Sequence, residues 1–174
     1  MQRLTKLFFG AILLLTISGC DKKSCTKVVC ASYQGCYQGQ CVCLNGYEGV
    51  DCATVSATKY TGNWIVSENC GNGVTSPNPG GYSVYISPVG SPVSYISISN
   101  LLNLGTSFNA ELYNTTPGAE GTQIHIFAAS QGGVAISDSY GYYTTQNGSI
   151  QMIIILNYSY NSFNYSCQET FTKQ

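Results

Sequence analysis

Residues 25–52 read CTKVVCASYQGCYQGQCVCLNGYEGVDC, six cysteines spaced C-x4-C-x5-C-x4-C-x-C-x8-C. A segment this short cannot bury enough apolar surface to hold a fold, because below about 40 residues staples or metals usually replace a core. Zinc favours C-x2-C pairs with histidine partners, and this block has neither a C-x2-C nor a histidine. The expectation is therefore a disulfide-stapled module with no metal site and no cofactor. Arithmetic alone does not choose among the pairings that six cysteines allow. Outside the block stand Cys20, which ends an N-terminal apolar segment, and Cys70 and Cys167, near opposite ends of what remains.

The end of the block, Cys41-Val42-Cys43-Leu44-Asn45-Gly46-Tyr47-Glu48-Gly49-Val50-Asp51-Cys52, follows the pattern C-x-C-x-x-G-aromatic-x-G-x-x-C. With its spacing it resembles an EGF-like domain. In that family Gly46, Tyr47 and Gly49 belong to the second hairpin, where glycine permits positive φ and the ring covers a disulfide. The resemblance implies the pairs Cys25 with Cys36, Cys30 with Cys41, and Cys43 with Cys52. The acidic pattern of calcium-binding members is absent, since the corresponding places read Asp21-Lys22-Lys23-Ser24 and Tyr37-Gln38-Gly39-Gln40. Gly35 stands where Ser or Thr would carry an O-linked sugar. What transfers is a scaffold associated with extracellular contacts, with no particular ligand.

Ahead of the block, Arg3 and Lys6 form a positive n-region and Leu7 to Ile17 an apolar h-region too short to span a bilayer. Ile17-Ser18-Gly19-Cys20 resembles the lipobox of bacterial lipoproteins, with Ile where Leu is commoner. The resemblance implies a signal peptide over residues 1–19, cleavage before Cys20, a diacylglycerol carried on its thiol in an anchor with palmitate chains, and a lipidated tether over residues 20–24. Two or more acyl chains anchor stably where one binds only marginally. Residues 21–24 reach at most about 14 Å at roughly 3.3–3.6 Å per residue, which keeps the module near the headgroups. Asp21 resembles an inner-membrane retention signal in one bacterial lineage, and Asp21-Lys22-Lys23 an export code in others. The expected place is the bacterial cell envelope, at the outer membrane or cell surface rather than the inner membrane.

Cleavage removes Arg3 and Lys6 from seven basic residues, leaving five against eight acidic ones. No basic patch survives to bind nucleic acid. Charged residues make up 9% of the chain, and the abundance of Ser, Thr, Asn, Gly and Tyr suits an exported β protein in which disulfides persist.

Residues 53–59 read as a short polar linker, and residues 60–174 as one all-β domain. Its apolar residues alternate: Trp64 with Val66, Tyr82-Val84-Ile86, Phe108-Ala110-Leu112, Ile124-Ile126-Ala128, Ile150-Met152-Ile154-Leu156 and Phe163-Tyr165-Cys167-Glu169-Phe171. Turn signals such as Pro77-Asn78-Pro79-Gly80-Gly81, Pro117-Gly118 and Asn147-Gly148 separate them. Eight or nine hairpin-linked strands follow, with one helical turn at most, over residues 100–105. Both an antiparallel β-barrel and a β-sandwich accommodate this meander. A disulfide between Cys70 and Cys167 requires the ends of the domain to meet, which favours a closed barrel. Gly62-x-Trp64 in the first strand and Cys167-x-x-Thr170-Phe171-Thr172-Lys173 at the end resemble the small lipocalin-like domains of exported bacterial lipoproteins. There the tryptophan closes the barrel floor; a plain core tryptophan fits Trp64 equally well.

Nothing in this half signals a reaction. His125 is the only histidine, on the strand face opposite Ile124 and Ile126, with no nucleophile or orienting partner indicated. Glu68, Glu111, Glu120, Asp138 and Glu169 are its carboxylates, and no spacing pairs them for two-carboxylate hydrolysis of a glycan. The expectation is a protein that is not an enzyme. Tyr140, Tyr142, Tyr143, Tyr158 and Tyr160 offer flat apolar faces with polar tips, which suits contact with a glycan or protein ligand, and suits a half-buried strand as well. Two functions stay open: a membrane-anchored binding or adhesion module, and a lipocalin-like carrier of a small apolar ligand. The volume enclosed by the barrel separates them, because a ligand chamber needs roughly 300 Å³ or more.

Overall fold

The computed structural model describes residues 25–71, 75–90, 93–113, 123–146 and 148–174. Cys20, the signal segment and the tether lie outside them, as do Glu120 and the Pro117-Gly118 turn. The described chain is all-β, and among its residues no helix is long and apolar enough to cross a membrane.

In the six-cysteine segment, disulfides do what a core does elsewhere. Cys25 is bonded to Cys36, Cys30 to Cys41 and Cys43 to Cys52, the pairs that the EGF resemblance implies. Strands β1 (Gln34–Tyr37) and β2 (Gln40–Cys43) form one hairpin, with Cys36 opposite Cys41. Strands β3 (Tyr47–Glu48) and β4 (Thr54–Val55) form a second antiparallel pair. Of residues 25–52, only Gly46 and Cys52 are buried.

Residues 53–59, expected as a polar linker, are instead a docked joint. They hold β4 and the start of a helical turn α1 (Ala57–Tyr60), in which Ala57 and Tyr60 enter the core. Ser56 N donates to Gly46 O at 2.8 Å, and Lys59 Nζ meets Glu48 at 2.6 Å. A Cβ on Gly46 would fall 2.7 Å from the backbone nitrogen of Ser94 and 2.9 Å from a Val93 methyl. The stapled module is thus pressed against a loop of the second half. Composition alone hides this, since the residues that dock are small or amphipathic.

The second half forms β5 (Gly62–Cys70), β6 (Tyr82–Pro88), β7 (Tyr95–Ser99), β8 (Ser107–Tyr113), β9 (Gln123–Ile126), β10 (Ala129–Gln131), β11 (Val134–Ile136), β12 (Ser139–Gln146), β13 (Ser149–Tyr160) and β14 (Phe163–Lys173). Each pairs antiparallel with the next around β5-β6-β7-β8-β9-β12-β13-β14, and β14 returns to β5. This is a closed eight-stranded barrel, not a sandwich. Hairpin β10–β11 is an excursion between β9 and β12, and β11 lies on the end of β13 that β12 leaves free, with Ile136 opposite Tyr158. A 3-10 turn at Leu101–Asn103 is the helical piece expected near residues 100–105. Ala128, grouped by alternation with Ile124 and Ile126, lies beyond the end of β9 and is exposed.

Alternation puts Val66, Ile86, Ile98, Phe108, Met152, Ile154 and Phe171 inside, all essentially closed to solvent. Trp64 is buried at one end, its Nε1 donating to Tyr60 O at 2.8 Å, while Lys173 Nζ donates to Lys59 O at 2.7 Å and lies 5.6 Å from the Trp64 ring centre. We refer to this end as the floor. On β12, a Cβ at Gly141 would sit 2.4 Å from Ile153 O, so only glycine lets β13 pass there.

Candidate functional site

Register builds a row across the outside of the barrel. Tyr95, Glu111, His125, Tyr140 and Ile155 are successive cross-strand partners on β7, β8, β9, β12 and β13. The His125 and Tyr140 rings are stacked at 4.4 Å and 6°. Phe127 bridges on the other side, 4.7 Å from His125 and 5.5 Å from Tyr95. Tyr140 is 51% exposed and Ile155 46%, so the row ends in apolar surface. Asp138 Oδ1 lies 3.1 Å from His125 Nε2 and accepts from Ala128 N, fixing the imidazole against the sheet. Tyr113 lies close by; burial, then Tyr140 and Glu111, push its phenol up.

The five tyrosines named from sequence do not form one surface. Tyr140 and Tyr142 face outward and are exposed. Tyr143 points the other way, its ring 5.3 Å from Tyr60 and 4.9 Å from Lys59 Nζ, at the floor. Tyr158 is buried at the opposite end, and Tyr160 lines a small cavity there. Strand parity explains the split: Tyr142 and Tyr143 are neighbours, so they lie on opposite faces. Of the hairpin residues, Tyr47 stacks on Tyr33 at 4.4 Å, and Gly46 and Gly49 take positive φ.

A second constellation escaped the sequence reading. Cys70 and Cys167 are Cα partners joined by a disulfide, and the same register sets Glu68 opposite Glu169. Both carboxylates continue the inward faces of β5 and β14. Glu68 accepts from Tyr158 Oη and from Asn78 Nδ2, the latter at 3.2 Å; Asn78 Nδ2 also reaches Leu102 O at 3.3 Å. Glu169 is 0% exposed and accepts from Tyr82 Oη at 3.4 Å. Burial first, and then the charge of Glu68, push the Glu169 carboxyl up to about 8. Burial and these carboxylates likewise raise the phenols of Tyr82 and Tyr158. A cavity of about 110 Å³ adjoins, lined by Pro77, Asn78, Leu102, Val134, Tyr158 and Tyr160 among others. The two residues that hold Glu68 form part of its wall.

The signal for this pair was present in the cysteines. If Cys70 faces Cys167 across antiparallel strands, residues two earlier and two later face each other on the same side, which pairs Glu68 with Glu169. Comparison of the chain with known protein families, with curated proteins and with solved structures returns no match.

Proposed function

We propose that the protein is an exported bacterial lipoprotein, anchored through acylated Cys20, in which an EGF-like module seats a lipocalin-like barrel at the outer membrane or cell surface as a non-catalytic binding or adhesion module. The outward row of Tyr95, Phe127, His125 and Tyr140 is the observation that carries this reading. Stacked rings hold one another rigid, so little side-chain entropy is lost on contact, and they present ring edges and hydroxyl tips to a protein or glycan partner. What supports a module over a carrier is the barrel interior, filled by Ile, Val, Leu, Met, Phe and Trp side chains, beside a cavity well below ligand size. Four disulfides suit an oxidising compartment outside the cytoplasm. His125 is held between Phe127 and Tyr140 and against the Asp138 carboxylate, contacts that support a fixed place for its ring in the row.

The test is retention of the purified protein, with Cys20 replaced by Ser, on a panel of immobilised glycans and envelope proteins. Retention on at least one surface is expected, with about tenfold or greater loss for a Phe127→Ala, Tyr140→Ala variant of unchanged melting temperature, as central aromatic contacts commonly cost more than 1 kcal/mol each. Equal retention of variant and parent removes the row from the account.

A further inference from the structure

The β1–β2 hairpin of the stapled module has two unlike faces. Gly35 and Val42 are Cα partners, as are Tyr37 and Gln40, and Leu44 N donates to Tyr33 O at 3.0 Å, which carries the ladder one pair further. Alternation therefore sends Cys36, Cys41 and Cys43 to one face, where they enter disulfides, and Tyr33, Tyr37, Val42 and Leu44 to the other. Gly35 lies in the middle of that second face, where a Cβ would fall 3.2 Å from Leu44 Cδ2. Around it opens a concavity of about 570 Å³, walled by Tyr37, Val42, Leu44 and Asn45, with no charged residue in its lining. Tyr33, Tyr37 and Leu44 are each 46–48% exposed, and the ring of Tyr47 braces that of Tyr33. A segment without a core of its own thus leaves two tyrosines and a leucine in water, side by side.

The course of the chain indicates what lies against this face. Cys25 is bonded to Cys36 with the Cα atoms 5.8 Å apart, so the N-terminal tether ends beside the strand that carries Gly35 and Tyr37. Cys20 is five residues earlier and reaches at most about 18 Å, at roughly 3.6 Å per residue. With Cys20 acylated, the headgroup layer takes up about 5–7 Å of that reach, half the difference between the full and the hydrocarbon thickness of a bilayer. What remains is close to the thickness of one sheet, about 10 Å. The hairpin therefore cannot stand clear of the membrane, and although the Cys25–Cys36 bridge leaves by the cysteine face, the tether is long enough for the apolar face to turn to the lipid.

Charge and packing agree with that orientation. Lys22 and Lys23 in the tether, with exposed Lys27 in the 3-10 turn Cys25–Lys27, outnumber Asp21 and attract anionic headgroups. Of the module's own acids, Glu48 is paired with Lys59 and Asp51 lies outside the lining of the concavity. The opposite end of the module is taken by the barrel, through Gly46 against Ser94 and Val93. Tyrosine rings concentrate at headgroup level and leucine suits the acyl boundary beneath it.

We propose that the hairpin face formed by Tyr33, Tyr37, Val42 and Leu44 is a membrane-docking surface, seated at the headgroup boundary of the bilayer that holds Cys20. This rests on the reading of Cys20 as acylated, and adds to it the face of the module that meets the lipid. The anchor then does not leave the module free to swivel: tether and hairpin together fix it on the surface.

The experiment uses the full chain, purified after export and reconstituted into vesicles of phosphatidylcholine and phosphatidylglycerol, with or without bromine on the upper acyl chains. Leu44→Trp and, separately, Tyr37→Trp report on the face. The controls are the parent, whose Trp64 is buried, and Phe163→Trp, at an exposed position where β14 begins. Intact mass records acylation. In the acylated protein the two face variants should lose about half or more of their added emission to the bromines, since interfacial apolar faces sit about 5–10 Å deep, and both controls should keep theirs. Should one face variant fail to fold, the other decides. Unquenched emission from the face of an acylated protein overturns the docking while the anchor stands, and a blue shift without quenching assigns the face to a protein partner or a second copy instead. Absence of acyl mass removes the anchor and the docking together.

Discussion

The stapled module and the barrel solve the same problem with opposite means. Residues 25–52 bury little beyond Cys52 and hold their shape with three disulfides. The barrel closes around a continuous apolar interior, from Trp64 on the first strand to Phe171 on the last, with one disulfide near its far end. In the module, cross-links restrict the unfolded chain; in the barrel, burial stabilises the folded one. The contrast teaches that equal-looking cysteines carry unequal weight.

The largest effect should therefore come from the module. Replacing Cys30 and Cys41 with Ala removes a staple from a segment with no core to fall back on, so the module is expected to lose its fold and its neighbouring disulfides to become reducible. Trp64 fluorescence, reporting the barrel, should still show a cooperative transition. A module that keeps its hydrogen-exchange protection without this bridge would break the comparison.

A Cys70→Ala, Cys167→Ala variant should cost about 2–5 kcal/mol in urea unfolding followed by Trp64, and the barrel should remain folded because the rest of its apolar interior, from Trp64 to Phe171, is kept. No larger is the effect of Glu169. Its folded carboxyl, pushed up to about 8 from about 4.5, keeps a proton that the unfolded chain has lost between those values. Stability should thus be greatest below about pH 4.5 and fall as pH rises to about 8, by at most about 1.4 kcal/mol per unit, then level out. Glu169→Gln should remove that slope. A parent whose urea midpoint is flat over the same range would show that the pair is relieved in another way.

Much of this architecture was legible before the structure. Alternation marked the inward faces of β5, β6, β8, β9, β13 and β14, because a half-buried strand imposes a period of two on its own residues. Meeting of Cys70 and Cys167 implied closure. Hairpin β10–β11 escaped because two three-residue strands carry too few positions to show a period. Docking through Ala57 and Tyr60 escaped because burial there is set by the module and barrel together, not by the segment. The outer row required the register of five strands, which no single stretch encodes. The tyrosines were misgrouped for the same reason: nearness in sequence places adjacent strand residues on opposite faces.

That recognition lies on the outside of a filled barrel is tested most directly by titrating the protein with a long-chain fatty acid while following Trp64 emission. Trp64 is wholly buried in the barrel interior, where any ligand reaching the core would perturb it. A filled interior predicts an unchanged spectrum through about 100 μM ligand, well above the micromolar range of a specific carrier. Saturable quenching at one ligand per chain would contradict it and place the binding site inside.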